Sequence, residues 1–200
     1  MTISVGITIG SISEPSGICV AESEQRNMTD SWSHGEEHYL IRKLERLPSG
    51  TSYPAIANRA AALVSRLKEY RDDSIRIAVD ATGKGKPIID VFEERIREYL
   101  ITQVYFNFGD QMTTTEYGRI ITLGKAFLVT RLVTALQNHR LHLPRDPASE
   151  ILATELENYQ IEIDPDANNR YGAFKVGSQD ELVTALGLAL IPYPPPPTIA

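Results

Sequence analysis

The stretch Thr2-Ile3-Ser4-Val5-Gly6-Ile7-Thr8-Ile9-Gly10 sets the frame for the whole chain. Ile3, Val5, Ile7 and Ile9 alternate with small or polar residues, the period-two pattern of a β-strand ending at Gly10. Ser11–Gly17 contains Glu14-Pro15-Ser16-Gly17 and reads as a turn. Gly17–Ala21 is short, apolar and bounded by Glu22 and Glu24, so it reads as a returning strand. Ser23–Glu37 is polar and is expected to be a loop. Tyr39–Leu47 alternates again, with Tyr39, Ile41 and Lys43 opposed to Leu40, Arg42 and Leu44. An antiparallel meander of three strands is expected.

The period then changes. Pro54 suits a first helical turn, and Ile56, Ala60, Leu63, Val64 and Leu67 form one apolar stripe. Ile75–Val79 is a buried strand ending at Asp80, followed by the loop Thr82-Gly83-Lys84-Gly85-Lys86. Pro87 opens a helix with Ile88, Val91, Phe92 and Ile96 inward, and Ile101–Phe106 is the next strand. The order β-β-β-α-β-α-β implies an α/β fold with a mixed sheet covered by helices.

Further on, Arg119–Leu123 reads as a strand. A long helix from about Lys125 to Asn138 carries Leu128, Val129, Leu132, Val133 and Leu136. Leu141–Leu143 is a short strand, and Asp146 is placed to cap a helix with Ile151, Leu152 and Leu156. Tyr159–Ile163 and Tyr171–Val176 flank the turn Asp164–Arg170 and make a hairpin. The last helix is expected from around Ser178, burying Leu182, Val183, Leu186 and Leu190. Pro192 stops it, so residues 1–191 form one domain and 192–200 a proline-rich extended tail.

Composition narrows the class. The 200 residues are 42% hydrophobic and 23% charged, which fits a globular chain that buries a full core without staples. The single Cys19 leaves no intrachain disulfide and no multi-cysteine zinc site. No apolar run is long enough to span a membrane and Met1–Gly10 lacks a secretory pattern, so a soluble cytoplasmic protein is expected. A net charge of −6 argues against coating nucleic acid by bulk positive charge, but not against a local basic strip.

Val5-Gly6-Ile7-Thr8-Ile9-Gly10 with Glu14-Pro15-Ser16-Gly17-Ile18 resembles the first hairpin of the nuclease domain of phage terminase large subunits. Val79-Asp80-Ala81-Thr82-Gly83-Lys84-Gly85 resembles that family's Asp-Ala-Thr-Gly-x-Gly segment. Gly177-Ser178-Gln179-Asp180-Glu181-Leu182-Val183 resembles its terminal acidic helix start. Arg46-Leu47-Pro48 with Gly50-Thr51 and Tyr53, Lys125 before a Leu-rich helix, and Glu155-Leu156 before the hairpin also fall where the family has such residues. Each motif is loose alone. Their common order, from about Ile3 to Leu190, carries the resemblance.

The resemblance implies a ribonuclease-H-like sheet with a β-hairpin insertion near the C-terminus. It also implies a hydrolase that cuts double-stranded DNA endonucleolytically during genome packaging. In such a two-metal site carboxylates hold Mg²⁺ or Mn²⁺, one ion preparing the water and the other stabilising the leaving oxygen. The family's carboxylates lie on the middle of the first strand, at the end of the fourth and at a late helix start. Asp80 and Asp180 match the second and third positions as catalytic metal ligands, with Glu181 assisting. The first position departs from the pattern, because Thr8 stands where the family has Asp, and a neutral hydroxyl cannot replace the charge. Glu14, in the turn, and Glu22, at the far end of the second strand, are the nearby acids that could compensate.

Lys84, Lys86 and Lys125 are the candidates for a DNA backbone. Gly83-Lys84-Gly85-Lys86 lacks the spacing of a Walker loop, and no Walker motif occurs elsewhere, so this chain does not itself translocate DNA. The partners implied are double-stranded DNA, a terminase ATPase motor, the small terminase subunit and the portal, in the cytoplasm of a bacterial host with a phage or prophage. The rival readings are a catalytically inactive relative with a DNA- or partner-binding role, and a generic α/β binding protein. His139 and His142 read as surface residues, and His34 and His38 as part of a polar loop with Glu36 and Glu37. Tyr39, Phe92, Phe106 and Phe127 read as core.

Overall fold

The alternation in the first strand separates two layers of helix. The computed structural model describes residues 1–26, 35–70, 75–107, 109–115, 118–159, 162–163, 171–173 and 180–192. Strands β1 (Thr2–Thr8), β2 (Ser16–Arg26) and β3 (Glu36–Leu47) form the expected antiparallel meander. They are followed by α1 (Tyr53–Tyr70), β4 (Ile75–Asp80), α2 (Lys86–Arg95), β5 (Ile101–Asn107), β6 (Met112–Thr115) and β7 (Ile120–Gly124). The chain continues through α3 (Lys125–Gln137), β8 (Leu141–His142), α4 (Pro147–Asn158), β9 (Glu162–Ile163), β10 (Tyr171–Ala173) and α5 (Glu181–Ala189).

Among the described residues one eight-stranded sheet has the order β6-β7-β5-β4-β1-β2-β3-β8. β1 pairs antiparallel with β2 and parallel with β4, which pairs parallel with β5. This is the ribonuclease-H-like mixed sheet, and β9 and β10 are the antiparallel hairpin near the C-terminus.

Ile3, Val5, Ile7 and Ile9 join Ile56, Ala60, Ile88 and Phe92 in the apolar layer under α1 and α2. The opposite face of the sheet supplies Cys19, Ala21, Ala78 and Val104 to a second layer with Leu128, Leu132, Leu152 and the apolar residues of α5. Helix α5 is buried along its whole length, which is why its sequence is apolar all round rather than on one stripe.

Several expectations need correction. Ser23–Glu37 is not one loop, since β2 runs to Arg26 and β3 starts at Glu36, pairing as Arg26↔Glu36. The alternation in β3 breaks between Ile41↔Ala21 and Lys43↔Val20, leaving Arg42 as an unpaired bulge residue. The slip puts Leu44 in the same apolar layer as Tyr39 and Ile41 and carries Arg46, two residues on, to that face. In α3 the buried residues are Leu128, Leu132 and Ala135, whereas Val133 and Leu136 are exposed, as is Ile151 of α4. Strand β6 carries no mark in the sequence, because its Met-Thr-Thr-Thr run lies on the sheet edge with little burial. The first residue of α5 is Glu181, not one near Ser178. His34, the turn Asp164–Arg170, Gly177–Gln179 and the Pro194–Pro197 tail lie outside the described residues.

His38 belongs to β3, not to a loop, and it is buried. Its Nδ1 lies 2.9 Å from His142 Nε2 across the parallel β3–β8 pair, with the rings 18° from parallel. One nitrogen must donate and the other accept, so the bond fails when both rings are protonated. Burial pushes the His142 imidazole below its ordinary value, and Arg26 and His38 push the same way against Glu24. Glu36 is the other carboxylate at the pair, 3.8 Å from His38 Nε2. A depressed value means stability present above the free-imidazole range, near pH ~6.5, and lost as pH falls below it. The thermal advantage of the native chain over His142→Gln should therefore be largest near pH 8 and shrink on acidification, as pH-dependent melts would show.

Candidate active site

Period-two geometry brings the sequence candidates together. Gly6 faces α5, so Thr8, two residues on and last in β1, faces the same side. Ala78 of β4 lies in the α5 layer, so Asp80, last in β4, does too. The register Ile7↔Val79 sets Thr8 and Asp80 side by side at the carboxyl ends of two parallel strands. Both side chains are nearly buried, at 7% and 9% exposure. Helix α5 closes over them: a Cβ on Gly17 would lie 2.5 Å from Glu181 O, and one on Gly6 2.1 Å from Ala185 O. This contact puts Asp180 and Glu181, at the start of α5, above the ends of β1 and β4.

A cavity of about 420 Å³ lies between these elements. Thr8, Asp80, Asp180, Glu181, Lys84 and Lys125 all line it, together with Glu14, Phe106 and Thr82. Lys86, the first residue of α2, is exposed and is not among the lining residues, so it does not join the others. Glu14 arrives because the turn folds back tightly: a Cβ on Gly10 would meet Pro15 O at 2.0 Å and Glu14 O at 2.2 Å. Gly10 N–H also donates to Ser16 Oγ at 3.0 Å. Glu22 stays away and binds Arg42 at 2.7 Å.

Asp80 is held by the backbone after it, with Thr82 N–H donating to its Oδ1 at 2.9 Å. Thr82 Oγ1 in turn accepts from Phe106 N–H at 2.8 Å, tying the β4 exit to β5. Lys125 opens α3 and reaches across the Phe106 ring, 5.8 Å from its centroid. Burial pulls the Lys125 ammonium below its ordinary value, while Asp180, Asp80 and Glu14 pull it back up. Burial likewise pushes the Asp180 carboxyl above the usual carboxylate range; Lys125 opposes that shift, and Glu14 and Asp80 add to it. The Glu181 carboxyl is raised by burial too, with Arg46 acting against the rise.

Two residues outside the expected ligand set organise this corner. Glu155 of α4 is 5% exposed, pairs with Arg46 of β3, and accepts from Leu182 N–H at 2.9 Å and Val183 N–H at 3.0 Å. Arg46 also lies 3.6 Å from Glu181 Oε2, a buried oxygen that has no hydrogen-bond partner among the described residues. Both residues were visible in the sequence as motif positions, but their contact needs the β3 bulge, which alternation alone does not show.

The donor chemistry suits one hard divalent cation. Asp80, Asp180 and Glu181 all offer carboxylate oxygens to the lining of one cavity. Thr8 brings a neutral hydroxyl to the same lining where the expected pattern has a carboxylate, and Glu14 joins it there as a further acid. Among the described residues no three His, Cys, Asp or Glu side chains stand together as a ready metal group. Lys125 supplies the positive charge there.

No family model and no curated protein matches the sequence. Solved structures do. The large terminase nuclease from thermophilic phage G20c superposes with a TM-score of 0.59 at 17% identity, covering 94% of this chain and 80% of that one. The human cytomegalovirus terminase nuclease domain gives 0.55 at 14% identity, covering 94% of this chain and 82% of that chain. A manganese-soaked structure of that domain gives 0.54 at 15% identity, covering 93% of this chain and 80% of that chain. The fold of this chain is that of the terminase nuclease domains, as its motifs suggested.

Because Lys125 neutralises acids in a largely buried site, Lys125→Met should lower stability in EDTA by about 1–3 kcal/mol. Mn²⁺ should restore more stability to this variant than to the native chain, measured by paired thermal melts.

Proposed function

We propose that this chain is a terminase-type nuclease domain that cuts double-stranded DNA endonucleolytically with a divalent cation, at a rate lowered by Thr8. The observation that supports this most is the convergence of Asp80 and Asp180, 100 residues apart in sequence, on one cavity at the carboxyl ends of β1 and β4. The superposed relatives are themselves terminase nucleases, one of them soaked with manganese.

On this reading Asp80 and Asp180 hold Mg²⁺ or Mn²⁺, and Glu181 assists from the same lining. A bound ion supplies a Lewis acid for the scissile phosphate and an acidified water. Lys84 and Lys125 at the cavity bind the DNA phosphates on either side, a local basic strip on an acidic chain. Lys86, exposed outside the cavity, adds at most a flanking phosphate contact. Thr8 brings a neutral hydroxyl in place of a charge, so cation affinity is set without the carboxylate that a full two-ion site has at that position. Residues 1–191 would be the nuclease-type domain. Its DNA would come from an ATPase motor, with the small subunit and portal as packaging partners in a bacterial cytoplasm.

Supercoiled plasmid nicking in Mn²⁺ and Mg²⁺ tests the proposal. The native chain should nick, Asp80→Ala should not, and Thr8→Asp should nick at least about tenfold faster. A silent native chain with an active Thr8→Asp would favour the inactive relative that keeps the fold. Silence in both would overturn the nuclease reading.

A further inference from the structure

Helix α5 is capped in an unusual way, and the structure contains its own control. An Asp at an N-cap ordinarily turns its carboxylate back to accept the N–H groups two and three residues on. Asp146 does this for α4, accepting from Ser149 N–H at 2.8 Å. Asp180 holds the same position on α5 and makes no such bond. The two amides that it would take, those of Leu182 and Val183, are both taken by Glu155 Oε2 from α4. The other Glu155 oxygen binds Arg46, so the carboxylate is anchored on β3 while it caps α5.

We propose that Glu155, anchored by Arg46, is a positioning residue that caps α5 in place of Asp180 and so leaves the Asp180 carboxylate facing the cavity. The inference rests on the reading of Asp180 as a cation ligand, but its structural half stands apart from that reading. An oxygen folded over the first helical turn cannot also face Asp80. Removing Glu155 frees two buried amides at the positive end of a helix, and Asp180 at the N-cap holds the position from which an Asp ordinarily satisfies them. The site then loses its second ligand without any change at the ligand itself.

Two measurements test this, on the native chain, Asp180→Ala, Glu155→Ala and the double variant. The first is amide exchange at Leu182 and Val183 in metal-free buffer. Asp180→Ala should leave protection unchanged and Glu155→Ala should lose little, because Asp180 takes over. The double variant should lose about fivefold or more beyond either. Loss in Asp180→Ala alone, or equal loss in Glu155→Ala and the double variant, would overturn the substitution of one cap by the other.

The second measurement is Mn²⁺ affinity by titration. Glu155→Ala should weaken binding as much as Asp180→Ala, the double variant no further, and Glu155→Gln, which keeps an accepting oxygen, should restore it. Glu155→Ala with a lowered melting temperature but native Mn²⁺ affinity would reduce Glu155 to a structural cap. If Glu155→Ala does not fold, Glu155→Asp withdraws the oxygen by one methylene and should show the same pattern in smaller degree. A native chain that binds no Mn²⁺ would defeat the proposed function, while the exchange measurement would still decide the capping.

Discussion

The close approach of α5 to the centre of the sheet is the constraint on which the rest depends. A helix can lie on β1 and β2 at this distance only where the strands present almost no side chain, and Gly6 and Gly17 provide that. Any Cβ at Gly6 would sit 2.1 Å from Ala185 O, inside van der Waals contact with backbone that cannot yield. Because α5 is pressed between the sheet and the α3–α4 layer, it is buried on every side and its start is fixed over the ends of β1 and β4. Asp180 and Glu181 stand near Asp80 because the backbone of α5 leaves them nowhere else to be.

The cavity is also a charge-balancing problem. Four acidic side chains and two lysines line it, in a space where burial alone raises the carboxyls of Asp180 and Glu181 and lowers the ammonium of Lys125. In metal-free protein Lys125 is the cation that faces Asp180, Asp80 and Glu14. Thr8 lowers the negative charge at the point where the strands converge. A neutral group there eases the repulsion among the acids, and on the proposed reading it also weakens the hold on a cation.

Much of this was legible in the sequence, for physical reasons that differ by element. Ile3, Val5, Ile7 and Ile9 announced β1 by their period of two, whereas the cover of α5 over the small residues between them carried no such mark. Asp80 and Asp180 were legible through their motifs, and the fold places both at one cavity. What alternation could not show was the bulge at Arg42, since an inserted residue has no marker in the hydrophobic pattern before it flips the face. The Arg46–Glu155 pairing and the burial of His38 both escaped for that kind of reason: each depends on contacts between segments 100 or more residues apart. Strand β6 escaped because an edge strand of threonines buries too little to be periodic.

Soaking crystals in Mn²⁺ and recording the anomalous difference map would test the central claim most directly. A peak is expected in the cavity at coordination distance, about 2.2 Å, from carboxylate oxygens of both Asp80 and Asp180, with the Lys125 ammonium displaced. A cavity without a peak, its acids still facing Lys125, would contradict it.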